Sequence, residues 1–66
     1  MDLIEKATIR IEHWIEHNED HAGEYESFAR ELEAAGHTES ARHIFETVEL
    51  TARCSESMRR ALKALQ

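Results

Sequence analysis

The sequence predicts an all-α protein, two long amphipathic helices folded as an antiparallel hairpin that a second copy completes into a four-helix bundle. Three observations predict it. Apolar residues recur in a 3-4 alternation along almost the whole chain. Proline is absent, and of the two glycines only Gly36 stands where the pattern can be cut. The third is length: a chain of 66 residues buries only about 60% of its unfolded surface, so it needs outside help to close a core.

The first helix is expected over about residues 3–35. Asp2 followed by Glu5 resembles a capping box, and a heptad phase runs without a slip through Ile4, Ala7, Ile11, Trp14, Asn18, His21, Tyr25, Phe28, Leu32 and Ala35. Because that phase passes straight through Gly23, one continuous helix is favoured there, although glycine lowers helical propensity by about 1 kcal/mol relative to alanine. The competing architecture is a three-helix bundle broken near Asn18–Gly23, which would pair two short helices against one long one.

A turn is expected at residues 36–38. Gly36 follows the helix-favouring run Ala29-Arg30-Glu31-Leu32-Glu33-Ala34-Ala35 and suits the left-handed position after a helix end, while Thr38 is placed to cap the next helix. That second helix spans about residues 39–65, its phase carried by Ala41, Ile44, Val48, Thr51, Ser55, Met58, Leu62 and Leu65. At 1.5 Å per residue the two helices are roughly 50 and 40 Å long, close enough to lie side by side. Ile15, Ala22, Ala29, Phe45, Ala52 and Ala61 widen the stripe beyond what two helices can enclose. Hence a homodimer is expected to cover the rest. Ile9 and Leu50 fall outside both stripes and read as ordinary exposed apolar residues.

Charge narrows the functional classes. The net charge of −6 is the wrong sign for a general nucleic-acid binder, which neutralises phosphates with clustered Lys and Arg. It is concentrated in residues 1–36, which hold ten acids against Lys6, Arg10 and Arg30, while the rest is nearly neutral and ends in Arg59, Arg60 and Lys63. Folding back therefore brings unlike charges together. The acidic polar faces also disfavour an amphipathic membrane helix, and no apolar run approaches the roughly 18 residues of a span. Cys54 is the sole cysteine, which excludes an internal disulfide and suits a reducing compartment; with no secretory leader in the first residues, a cytoplasmic location is expected.

The fault in the apolar pattern lies at mid-helix, where Asn18 and His21 occupy positions that otherwise hold Ile, Trp, Tyr, Phe and Leu. A turn at Gly36 brings Thr51, Cys54 and Ser55 opposite them. Asn18, Tyr25, Thr51 and Ser55 are thus expected to form a polar core layer, since a buried unpaired polar group costs about 1–3 kcal/mol. Such a layer could simply set helix register, as an Asn does in a coiled coil, with no metal at all.

His13, His17 and His21 suggest a second role for the same region. A spacing of four puts neighbours on one strip of helix, about 6 Å apart along the axis, so adjacent pairs can chelate, whereas the outer two, about 12 Å apart, cannot share an ion on a regular helix. Glu16, Asp20 or Glu24 could add a carboxylate, and Cys54 or a symmetry-related histidine could complete the sphere. Imidazole suits Zn²⁺, Ni²⁺, Co²⁺ and Cu²⁺ without choosing among them. The crowding of Glu12, Glu16, Glu19, Asp20 and Glu24 at helical neighbour spacings gives a cation something to relieve. His37 and His43 read as turn and surface residues.

The run His13-Trp14-Ile15-Glu16-His17-Asn18-Glu19-Asp20-His21, followed by Tyr25, resembles the HWxxHNxxHxxxY signature of a small helical domain found alone or attached to other small prokaryotic proteins. Some of those companions resemble the nickel-binding accessory proteins of carbon monoxide dehydrogenase. The similarity covers nearly the whole chain in length and helix pattern. It implies a metal-linked role, a metalloprotein partner, and a set of marked positions at His13, Trp14, His17, Asn18, His21 and Tyr25, with His37, His43 and Cys54 outside it.

An enzyme is not expected. Glu-x-x-His pairs of a carboxylate-bridged di-iron bundle are missing, for Arg10, Trp14 and Asn18 stand three residues before the three histidines. Cys54 has no orienting group or oxyanion donor that the sequence identifies. The expectation is a non-enzymatic transition-metal-binding accessory or sensor module; the alternative is a structural self-association or adaptor bundle.

Overall fold

A computed structural model describes all 66 residues. Two helices, α1 (Leu3–Ala34) and α2 (Thr38–Ala64), pack against each other as an antiparallel hairpin, a rod of 51 × 16 × 10 Å. There is no strand, and α1 continues through Gly23 without a break, so the three-helix alternative is not adopted.

The helix ends follow from local chemistry. Asp2 caps α1: its Oδ1 accepts the Glu5 backbone N–H at 2.8 Å, and that hydrogen bond holds the Asp2 carboxyl below its ordinary pKa. At the other end Gly36, with φ +90°, takes the left-handed position. From it the Gly36 N–H donates to the Glu33 carbonyl at 3.0 Å and the His37 N–H to Leu32 at 2.8 Å, a Schellman motif that satisfies the last carbonyls of α1. The cap of α2 differs from expectation. Thr38 is already helical, and His37 holds the cap position with no side-chain hydrogen bond. The Schellman turn uses up the chain to His37, so the first helical torsions fall on Thr38.

The seam differs too. On α2 the expected phase holds, with Ala41 and Ser55 buried and Ile44, Val48, Met58, Leu62 and Leu65 half-buried. On α1 the line facing α2 is instead Ile11, Ile15, Asn18, Ala22, Ala29 and Leu32. Ile15 and Ala29 are its buried members, whereas Trp14 and Phe28, expected inside, remain 47% and 56% exposed. The small residues explain this rotation. Ala29 and Ala41 are closed to solvent near the turn, and side chains of this size let two backbones approach, where Trp14 and Phe28 would hold them apart.

Charge agrees with the fold-back. Glu19 on α1 pairs with Arg59 on α2 at 3.2 Å, and the Arg30 guanidinium lies 5.9 Å from the centre of the Phe45 ring. These pairs, and Asn18 beside Cys54 and Met58, put residues whose numbers sum to roughly 75 opposite each other, so the first turns of α1 project past the end of α2.

No large side chain is fully buried. No helix is long and apolar enough to cross a membrane.

Candidate metal centre

The 3.6-residue turn brings His17 and His21 one above the other on the exposed side of α1. Their Nε2 atoms stand 3.0 Å apart, with the rings edge to face at 4.3 Å between centroids. On the far side of the second ring, His21 Nδ1 lies 3.4 Å from Glu24 Oε2. Of the three nearby carboxylates, then, it is Glu24 that comes within reach of the histidines, behind the ring where a carboxylate orients a metal-binding imidazole.

The separation is slightly shorter than that of a chelating pair. Two imidazoles on one tetrahedral Zn²⁺, with bonds of about 2.0–2.1 Å, hold their nitrogens about 3.3 Å apart, so the pair can take an ion with a small opening of the rings. As it stands the same gap is a hydrogen bond. With Nδ1–H of His21 donated to Glu24, Nε2 of His21 accepts from Nε2–H of His17.

His13 lies farther up the strip, its ring parallel to that of His17 at 5.9 Å, and Tyr25 stacks on His21 at 6.0 Å. The four rings form a ladder along α1. Cys54 is exposed, and its Sγ lies 3.6 Å from the Asn18 amide nitrogen. No group of three His, Cys, Asp or Glu side chains converges on one point within the chain. Elsewhere, His43 lies 3.2 Å from each of Glu39 and Glu46 at the surface of α2, and Arg42, followed by His43, holds the Glu39 carboxyl below its ordinary pKa.

Little joins the polar layer together. Asn18 reaches across to Cys54 and, at 3.9 Å, to Met58 Sδ. Thr51 turns back and donates to the Thr47 carbonyl at 2.8 Å in its own helix. Ser55 is 3% exposed and its hydroxyl has no partner. Beside it a groove of about 350 Å³ opens on the opposite side of the rod from the histidines, lined among others by Glu19, Glu26, Thr51 and Arg59. In the sequence this groove is marked only by the coincidence of Ala22, Gly23 and Ala52, small residues that leave room between two helices.

Residues 7–65 match a family described as a domain of unknown function, DUF8180. The chain belongs to this family. The matched span of the DUF8180 chain takes in the whole histidine ladder, Glu24, Cys54 and Ser55. No curated protein and no solved structure matches it.

Proposed function

We propose that this protein is a non-enzymatic module, accessory or sensor, that binds a divalent transition metal through His17 and His21 and works as a cytoplasmic homodimer. The 3.0 Å approach of the two Nε2 atoms carries the reading, because it brings two imidazole nitrogens close to chelating distance on one helix. Glu24 behind His21 supports it by favouring the tautomer in which Nε2 carries no proton and can turn from His17 to an ion. Nickel, zinc and cobalt all suit such donors. The resemblance to domains attached to proteins like nickel-binding accessory proteins favours nickel and a metalloprotein partner. An exposed, unpaired Cys54 favours a reducing compartment. The second reading is a metal-free self-association module, favoured by the fact that His17, His21 and Glu24 already satisfy one another by hydrogen bonds.

Titrating metal-free protein with Zn²⁺ and then Ni²⁺, while following each histidine ring by NMR, separates the two. Saturable shifts at His17 and His21, with little change at His37 and His43 and none in His17→Ala or His21→Ala, are expected. Weak and uniform shifts across all five rings would leave the self-association module standing alone.

A further inference from the structure

The exposed side of α1 carries large apolar residues at equal spacing on either side of one position, with opposite charges beside them. His21 sits at its centre. Seven residues before it is Trp14 and seven after it is Phe28, both large, apolar and about half exposed. Next to Trp14 lies Arg10, and next to Phe28 lies Glu31, neither of which enters an ion pair within the chain. Among the acids of α1, Glu24 and Glu31 lie nearest this side, and Glu12, Glu16 and Glu19 lie well round from it. Beside Trp14 a shallow groove of about 220 Å³ runs up to Leu3, lined also by Ala7 and Ile11.

From this symmetry we infer that a second copy of the chain covers the Trp14–His21–Phe28 stripe, α1 against α1 and antiparallel about a twofold axis at His21, and that its Glu24 completes the His17–His21 ligand pair. The inference rests on the metal reading above for its second half and not for its first. In that register residue i of one copy faces residue 42 − i of the other. Trp14 meets Phe28, and Arg10 falls beside Glu31. The Phe28–Ala35 stretch lies along the Trp14 groove. Glu24 of the second copy faces position 18, between His17 and His21. The contact is isologous, so each of these pairings occurs twice and the assembly closes as a dimer.

The surface area agrees. A compact monomer of 7.7 kDa exposes about 4,300 Å², whereas this chain exposes 5110 Å². The excess is close to the roughly 800 Å² that one partner contributes to a standard interface.

Charge reversal tests the register. Sedimentation of the full chain should show that Arg10→Glu and Glu31→Arg each weaken dimerisation roughly tenfold or more, while the double variant Arg10→Glu/Glu31→Arg restores it. Circular dichroism checks that each variant keeps the hairpin. Failure of the double variant to recover, or a wild-type chain that stays monomeric at every concentration, overturns the dimer.

Complementation tests the shared site, with Zn²⁺ as the probe. His17→Ala/His21→Ala protein supplies only Glu24, and Glu24→Gln protein supplies only the histidines. Each alone should bind zinc at least tenfold more weakly than wild type, and their mixture should regain one site per mixed dimer, tighter than either part but short of wild type because its histidines lack the Glu24 that stands behind His21 in their own chain. A mixture that binds no better than its parts overturns the shared site. If wild type takes up zinc as a monomer, the metal reading survives and this inference falls; if the charge-reversal pattern holds without zinc uptake, the dimer face survives and the metal centre falls.

Discussion

The two apolar stripes of α1 are built on opposite rules. The one facing α2 contains Ala22 and Ala29 among its isoleucines, and Ala29 is sealed from solvent; the outer one holds the only tryptophan and Phe28, both about half exposed. Transfer from water would favour burying the larger side chains, since each is worth about 1.5–3 kcal/mol. Close backbone approach decides otherwise. A helix pair this thin gains more from many short contacts along its length than from a few bulky ones that wedge it open. The bulk is left on the outside, where only another molecule can use it.

Breaking the inner stripe should have the largest effect. Ala29→Leu forces a bulky side chain into a position with no accessible surface, and a loss of about 1–3 kcal/mol is expected in urea unfolding. Phe28→Ala, one residue away, should cost the isolated hairpin about 1 kcal/mol or less while abolishing dimer in sedimentation. Equal losses from the two would mean that the stripes are not distinct.

The glycines sharpen the comparison in a smaller way. A methyl group at either would meet nothing within 4 Å, so only backbone conformation decides. Gly36→Ala must adopt φ near +90° and should lose about 1–2 kcal/mol. Gly23→Ala lies within a regular helix and should gain about 1 kcal/mol. Opposite shifts in the urea midpoint check both.

The smallest effect is expected at Ser55, on the inner side. Ser55→Ala removes a buried hydroxyl that has no partner and should raise stability by about 1 kcal/mol. A drop of similar size would show that water from the adjoining groove satisfies it.

Much of this was legible in the sequence. The hairpin followed from two unbroken heptad phases and Gly36, because a left-handed residue after a helix end leaves few alternatives. The phase of α2 was legible because its apolar residues lie on one line. That of α1 was not, because Trp14 and Phe28 compete with Ile15, Ala22 and Ala29 for the same neighbour, and hydrophobicity ranks them in the opposite order from close packing. The pairing of His17 with His21 is written in their spacing. The choice of Glu24 over Glu16 or Asp20 is not, since it depends on side-chain rotamers. Likewise Thr51 could be placed on the seam, but not foreseen to turn its hydroxyl back onto its own helix.

The Schellman turn has a kinetic consequence. Near Gly36 the two helices are joined through three non-helical residues, so the first cross-helix contacts close only a short loop, and each later one adds little further entropy loss. The chain can therefore zip from the turn outward. It also opens in reverse, from the projecting first turns of α1, so amide exchange should slow along the rod from Leu3 and Leu65 toward Ala29 and Ala41. The histidine ladder lies midway along that gradient, where the helix is firm enough to hold two rings in place and close enough to the open end to let them part.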